Sequence, residues 1–120
     1  MLPSEVYERV ARARDAVEKY GAKIGFHGHN NLALAVANSL EAVRGGATYI
    51  DTCLKGFGAG AGNCPIEPFV AILDRMGYDT GIDLYKAMDI GDKFLRPLMP
   101  RPMELASDQI MLGYAGVSGN

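Results

Sequence analysis

The 120-residue sequence has little cysteine, no long hydrophobic run and no excess of positive charge, and each absence narrows the range of functions. Its two cysteines, Cys53 and Cys64, form neither a Cys-x-x-Cys pair nor a disulfide framework, which predicts small buried thiols in a reducing compartment. No stretch approaches the roughly eighteen apolar residues of a membrane span. The amino terminus is charged from Glu5 onward, unlike a signal peptide. We therefore expect a cytoplasmic chain with no membrane partner.

The charge pattern also argues against a nucleic-acid partner. The lysines are spread along the chain with acidic residues between them, and the net charge is −2. Without a basic stripe, the surface has nothing that would release counterions from a phosphate backbone. The apolar fraction of 48% is instead typical of an ordinary globular domain.

Helical and strand patterns alternate along the chain without a linker or an internal repeat. Their order is typical of parallel βα units, in which helices cover at least one face of a parallel sheet. Glycine or proline follows most of the periodic segments and predicts where they end. The predicted strands are residues 23–29 and 48–54. The first predicted helix is 4–20, the second is capped by Asn30 or Asn31 and ends at 45, and the third is capped by Asn63 and ends at 76. A fourth helix is predicted over 83–96 and a short fifth one within 103–112.

Two parallel strands cannot form a stable sheet by themselves, because each needs neighbours to satisfy its backbone and to bury both of its faces. A complete (β/α)8 barrel takes roughly 250 residues. The predicted fold class is therefore α/β, the C-terminal part of a TIM (β/α)8 barrel with two parallel strands and flanking helices, incomplete alone. A piece of this kind requires either the missing strands or further copies of itself, so a homo-oligomer is one expectation.

Two histidines stand one residue apart where the first predicted strand runs into a helix. Alternate residues of a strand share a face, so His27 and His29 can present two imidazoles to one point at the rim where barrel enzymes place catalytic groups. The spacing suits a metal site, although hydrogen-bonded rim histidines are the alternative. An oxygen donor would still be required. Asp51, on the neighbouring strand, is the nearest acidic candidate, and its alternative use is to bond backbone amides.

A glycine-rich loop, Gly56 to Asn63, joins the second strand to the next helix. Small residues let the backbone approach a bound anion, and Gly56, Gly58 and Ala61 fit the weak dinucleotide pattern G-x-G-x-x-A. A glycine hinge over the barrel mouth is the alternative. Asn63 is either a helix cap or a weak metal ligand through its amide oxygen. Tyr114, between small residues, suits either a substrate contact or packing.

Three segments together resemble the 4-hydroxy-2-oxovalerate aldolases. They are the run from His27 to Ser39, the glycine loop with the Pro65 and Glu67 that follow it, and the Leu-Gly-Tyr-Ala-Gly-Val run of residues 112–117. The resemblance covers nearly the whole chain. The His-x-His element is shared by the wider group of metal-dependent barrel lyases and synthases, which includes hydroxymethylglutaryl-CoA lyase and isopropylmalate synthase. The other two segments narrow the match to the aldolases.

This resemblance implies a divalent-metal lyase, usually with Mn²⁺, that cleaves 4-hydroxy-2-oxopentanoate into pyruvate and acetaldehyde during the degradation of aromatic compounds. His27 and His29 would bind the metal, His27 would also lie against the oxoacid, and Tyr114 would contact substrate. A cation chelated by the carboxylate and 2-keto oxygens is suited to carbon-carbon cleavage, because it stabilises the developing negative charge. Two alternatives stay open: a structural or self-associating half-barrel without activity, and a nucleotide-binding module that uses the Gly56–Gly62 loop.

The sequence also departs from the aldolase pattern. The aspartate that completes the metal site, an arginine that steadies the enolate and a histidine base all come, in the family, from a first strand that has no counterpart here. We therefore expect the 120-residue chain to be inactive alone. Residues 1–100 correspond to the C-terminal portion of the barrel, and 101–120 to the start of a segment leading to a domain that docks an acylating acetaldehyde dehydrogenase. Ser118-Gly119-Asn120 replaces the usual Tyr-Ser-Ser, so we doubt that this docking surface is present.

Overall fold

The computed structural model describes residues 1–117, in which helices cover one face of a two-stranded parallel sheet. The longer helical segments and both strands occur in the predicted order, so the prediction of alternating βα units is confirmed. The helices are α1 (Pro3–Val17), α2 (Ala35–Gly45), α3 (Ile66–Arg75), α4 (Leu84–Ile90) and α5 (Ser107–Ala115), and the strands are β1 (Gly25–His27) and β2 (Tyr49–Asp51).

The first helix begins and ends close to its predicted limits. Pro3 occupies the first turn, where its missing N–H costs nothing, and the Glu5 carboxylate accepts the Leu2 N–H at 2.7 Å. The helix ends in a 3₁₀ turn over Glu18–Tyr20, and Gly21 closes it with a left-handed φ of 68°. These end groups satisfy the backbone at both termini, so α1 can pack through its apolar side alone.

Both strands are shorter than predicted. They pair in parallel with Gly25 opposite Tyr49, Phe26 opposite Ile50 and His27 opposite Asp51. A residue belongs to a strand only where it pairs with a neighbouring strand. The residues beyond these three pairs make single bridges, His29 with Asn63 and Cys53 with Pro65. The predicted strands therefore exist, but only their three-residue centres form a ladder.

The helical face of the sheet carries the core. Phe26 and Ile50 point toward the helices, and Ile50 packs against both of the buried clusters. One cluster lies between α1 and α2, where Gly45 is needed because a Cβ there would lie 3.0 Å from the Val10 side chain. The other lies between α2 and α3. Their buried members are Val6, Val10, Ala42 and Ala47 in the first and Ala35, Cys64, Phe69 and Leu73 in the second.

The predicted start of the second helix is wrong. Neither Asn30 nor Asn31 is its cap, because the chain makes a turn in which Ala33 adopts a left-handed φ of 57° before α2 begins. Asn30 nevertheless bonds the first helical residue, since its Oδ1 accepts the Ala35 N–H at 3.2 Å. The turn thus replaces the first predicted helical turn and leaves residues 30–34 free to line the rim of the sheet.

The Asn63 cap is also wrong, whereas the predicted start of the fourth helix at Asp83 is confirmed. Pro65 precedes α3 and no side chain caps that helix, while the Asn63 Nδ2 donates to the Cys53 Sγ at 3.3 Å. Asp83 accepts the Lys86 N–H at 3.0 Å, and α4 continues as a π turn over Gly91–Leu95 and a 3₁₀ turn. Backbone hydrogen bonding to Asp83 holds its carboxyl pKa below the ordinary value.

The last helix lies further along the chain than predicted, because α5 includes Gly113 and Tyr114 and ends at Gly116. Of the two predicted buried thiols, Cys64 is buried and Cys53 is half-buried. Burial raises the pKa of the Cys64 thiol, with a smaller opposing effect of a hydrogen bond to Ser39. Among residues 1–117, no helix has the length and apolar character to cross a membrane. The predicted departure at 118–120 lies outside the described residues.

Candidate metal site at the strand ends

His27 and His29 lie together at the C-terminal end of β1. Their ring centroids are 4.9 Å apart, with the ring planes at 78°. Gly28 permits this arrangement, because a Cβ at that position would lie 2.9 Å from the Phe26 ring. The structure therefore brings the two imidazoles side by side on the sheet face opposite the helices, as the alternation along a strand predicts.

Asp51 holds the ring of His27. The Oδ2 of Asp51 lies 3.2 Å from the Nδ1 of His27, and the two residues are directly paired across the sheet. In a neutral imidazole, an Nδ1 that donates to this carboxylate leaves the lone pair on Nε2. Asp51 thus orients the imidazole, a use that the sequence reasoning did not consider beside metal ligation and backbone bonding.

Asn63 contributes a polar atom that lacks a partner. Its backbone pairs with His29 in an antiparallel bridge, and its side-chain Oδ1 is buried without a hydrogen-bond partner among the described residues. Buried amide oxygens are normally satisfied, and side chains paired across an antiparallel bridge share a face, so this orphan on the face of His29 indicates a place where a donor or a cation fits. Asn38 carries a second such oxygen on α2, while its Nδ2 donates to the Met1 carbonyl.

The histidines line a cleft of about 260 Å³ between the strand ends and α5. Its walls are mixed, with the two imidazoles on one side and apolar side chains with backbone on the other. Helix α5 is held there because the Asn31 Nδ2 donates to the main-chain and side-chain oxygens of Gln109 at 3.1 and 3.2 Å. The other lining residues include Phe26, Asn31, Leu32, Asn38, Leu112 and Val117.

Tyr114 does not line this cleft with the histidines. It lies on α5 with 81% of its surface exposed, whereas its neighbour Gly113 packs against Leu32. A Cβ at Gly113 would lie 2.7 Å from the Leu32 side chain, so the helix approaches the rim through its glycine. The substrate contact of Tyr114 stays a prediction.

The glycine loop closes on itself. The Asn63 N–H donates to the Gly56 carbonyl and the Gly62 N–H to the Ala59 carbonyl, both at 2.9 Å. A Cβ at Gly62 would lie 2.3 Å from the Gly56 carbonyl oxygen, and one at Gly60 would meet the Gln109 side chain. Several of the loop amides are therefore used within the chain. The nucleotide-binding alternative is not favoured, because two further residues, Cys64 and Pro65, separate this loop from α3, and a dinucleotide fold needs the helix to begin at the loop.

Sequence reasoning missed a buried acid behind this loop. Glu67 is only 8% exposed, and its two carboxylate oxygens lie 2.9 and 3.1 Å from the Lys55 amide nitrogen. Lys55 has a left-handed φ of 56°, and its ammonium pairs with Asp92. The sequence did contain one sign that Glu67 is buried. It lies three residues before the buried Val70, on a helical stripe that is otherwise apolar.

No complete metal site is formed by acidic, histidine and cysteine side chains alone. Among residues 1–117, no three of these side chains gather closely enough to hold an ion. Two imidazole nitrogens and an amide oxygen are nevertheless a donor set that a divalent transition metal accepts. The residues present thus fit part of a site whose remaining ligands would come from elsewhere.

Comparison with known proteins identifies relatives of this chain. Residues 1–93 match the HMGL-like family. Over 115 residues the chain is 66% identical to a 4-hydroxy-2-oxovalerate aldolase of Desulfitobacterium hafniense. The aligned segment covers 96% of this chain and 34% of the relative. A similar aldolase from Geobacillus stearothermophilus is 52% identical and is covered to 33%. The chain thus spans about a third of the length of the curated relatives it matches.

Solved structures support the fold in the same way. An HMG-CoA lyase from Acinetobacter baumannii, in complex with coenzyme A and 3-methylmalate, superposes with a TM-score of 0.72 at 25% identity, covering 98% of this chain and 38% of the lyase. The predicted fold class, an α/β part of a barrel, is confirmed. The resemblance to the aldolases is likewise confirmed over the stretch that the chain covers.

Proposed function

The chain belongs to the HMGL-like family, and on that premise we propose that it forms part of the metal and substrate site of a divalent-metal aldolase. The proposed reaction is the cleavage of 4-hydroxy-2-oxopentanoate into pyruvate and acetaldehyde, a carbon-carbon lyase reaction. The observation that supports it is the pair of adjacent imidazoles, together with an orphaned amide oxygen on Asn63, the residue bridged to His29. A nucleotide-binding role has no comparable support.

The metal would be held by His27 and His29, with the Asn63 Oδ1 as an additional oxygen donor. When bound, it would supply a Lewis acid for the 2-keto group of the substrate. The chain's own part is to present these donors in fixed orientations. Asp51 would hold the proton of a neutral His27 on Nδ1, so that Nε2 is available to the metal.

The cleft beside the histidines would receive the oxoacid. Its apolar wall around Leu112 suits the short carbon chain, and the imidazoles mark the polar end. We carry over from the sequence resemblance that Tyr114 contacts substrate, that Mn²⁺ is the metal, and that an acylating acetaldehyde dehydrogenase consumes the aldehyde. Cytoplasmic location and homo-oligomer formation are proposals of the same kind.

A Mn²⁺ titration tests the metal site directly. The chain has only two histidines, so paramagnetic broadening of imidazole resonances reports on this site alone. We expect both rings to broaden together, and His27→Ala and His29→Ala each to weaken Mn²⁺ binding. Asp89→Asn, an exposed carboxylate paired with Lys93, is the control for weak surface binding. Broadening of neither ring at saturating Mn²⁺ would refute the proposal.

Turnover gives a second test. Without the acid, base and arginine that the family takes from its first strand, the chain should release no pyruvate from 4-hydroxy-2-oxopentanoate in the presence of Mn²⁺. Turnover that disappears in His27→Ala would show instead that these groups are dispensable or are supplied by a second copy.

A further inference from the structure

The carboxylate of Glu67 is used in an unusual way. It is buried in the first turn of α3, yet no basic side chain among residues 1–117 forms an ion pair with it. Instead both of its oxygens converge on the backbone N–H of Lys55. The ammonium of Lys55 forms its ion pair with Asp92, so the hydrogen-bond partner of Glu67 is the Lys55 backbone and not the lysine charge. A buried acid is costly to keep unless the bond it makes matters.

The bond fixes a strained turn. Lys55 is one of two non-glycine residues with positive φ among those described, and its ψ is 14°. An L-residue rarely adopts this conformation without support from its surroundings, and such residues cluster at functional sites. The support here comes from Glu67, which reaches across from α3. The turn therefore depends on a side chain twelve residues further along the chain.

The turn at Lys55 also fixes the position of Asn63. It aims the Gly56 carbonyl at the Asn63 N–H, which donates to it at 2.9 Å. The same turn begins at Cys53, whose Sγ accepts the Asn63 side-chain Nδ2 and whose carbonyl accepts the Gly56 N–H. Backbone and side chain of Asn63 are thus both held by the turn at Lys55. Residues paired across an antiparallel bridge project their side chains from the same face, so the bridge with His29 places the Asn63 side chain on the side of the His29 ring.

We propose that Glu67 is a positioning residue for the metal site, acting through the Lys55 backbone to hold the Asn63 amide beside His29. The inference rests on the proposed function, in that it assumes the site to bind a divalent cation. Glu67 itself touches neither substrate nor metal. Its effect is on the geometry of Asn63 and therefore on affinity for the ion.

The test compares Mn²⁺ dissociation constants, measured by electron paramagnetic resonance well below the unfolding transition. Glu67→Ala should weaken binding by about 10- to 100-fold, as loss of an outer-shell partner does. Glu67→Gln keeps an oxygen acceptor for the Lys55 N–H and should restore most of the affinity. Lys55→Gly keeps the N–H, removes the pair with Asp92 and relieves the strain, so its affinity should stay close to that of the parent chain.

Leu73→Ala is the matched control for stability, because Leu73 is buried on the same helix at 7% exposure and its aliphatic side chain makes no hydrogen bond. If Glu67 were merely structural, Leu73→Ala would weaken Mn²⁺ binding as much as Glu67→Ala does. That result, or an unchanged dissociation constant in Glu67→Ala, would overturn the inference. Should Glu67→Ala fail to fold, Glu67→Asp keeps the charge but falls short of Lys55, and it must show the same loss.

A measurement without metal separates this inference from the proposed function. Hydrogen exchange of the Asn63 backbone amide should accelerate in Glu67→Ala more than exchange of the α1 amides, whereas in Leu73→Ala both should follow global stability. If the parent chain binds no Mn²⁺, the proposed function fails. The exchange result still decides whether Glu67 positions Asn63, and uniform acceleration in Glu67→Ala would reject it.

Discussion

Gly62→Ala should destabilise the chain far more than Gly77→Ala, although the two glycines have almost the same backbone conformation. Their φ values are 85° and 86°. An alanine at either position incurs the same left-handed penalty of about 1–2 kcal/mol. The surroundings differ, because a Cβ at Gly77 meets nothing within 4 Å and one at Gly62 would lie 2.3 Å from the Gly56 carbonyl oxygen. The pair of variants therefore isolates the contact from the conformation.

The additional loss at Gly62 follows from the bonds that must give way. Moving the loop apart breaks the Asn63 N–H bond to Gly56 and strains the Asn30 N–H bond to Gly62, both 2.9 Å long. Each is worth about 0.5–1.5 kcal/mol, so the excess over Gly77→Ala should be about 1–3 kcal/mol. The Met103 sulfur, 2.9 Å from the added Cβ, can move aside and adds little.

Urea unfolding followed by far-ultraviolet circular dichroism measures both variants against the parent chain. We expect a loss of about 1–2 kcal/mol for Gly77→Ala. The loss for Gly62→Ala should be about 2–5 kcal/mol when the broken bonds are included. Equal losses would refute the reasoning, because they would mean that the loop is open enough to accept a methyl group and that Gly62 is needed only for its φ.

Two further predictions concern the core. Phe69→Ala should lower the free energy of unfolding by about 3–5 kcal/mol, because it leaves a cavity in the core. Ile82→Ala, at a 42% exposed position, should lower it far less. Similar losses for the two variants in urea unfolding would contradict the packing. Burial raises the pKa of the Cys64 thiol in the fold, so above about pH 8.5 the unfolded chain releases this proton first and stability should fall as pH rises. Cys64→Ala should remove that part of the alkaline slope, and an identical slope in both proteins would show that the thiol is not desolvated.

Periodicity was sufficient to predict the elements that pack through one face. Val6 and Val10 of α1 and Phe69, Val70 and Leu73 of α3 lie on buried stripes, because a helix of a βα unit packs through such a stripe, although the periodic positions Ala13 and Met76 are exposed. The same holds for β1 and β2, whose alternation places Phe26 and Ile50 against the helices. These features depend on local sequence, and the prediction from sequence was correct in kind if not in length.

The loops were not predictable in the same way, because their partners are distant in sequence. Asn63 is a good helix cap by residue type, but its amide is taken by Cys53 and its backbone by Gly56 and His29. Glu67 is an acid on an apolar stripe, and only the fold shows that it bonds a backbone amide twelve residues earlier. In both places, local propensity is outweighed by hydrogen bonds to residues distant in the sequence, which form only when the chain is folded.

The two faces of the small sheet have different roles, since one packs against the helices and the other carries the candidate site. Residues 26 and 50 point into the helical layer, while the adjacent residues His27 and Asp51 point away from it with their side chains 47% and 73% exposed. Substitutions on the second face should therefore alter ion binding with little loss of stability, whereas changes at Glu67 should alter both. The candidate site therefore depends on the segments beyond the strand ends as well as on the sheet, because His27 is paired with Asp51 within the sheet whereas His29 is bridged to Asn63 in the glycine loop.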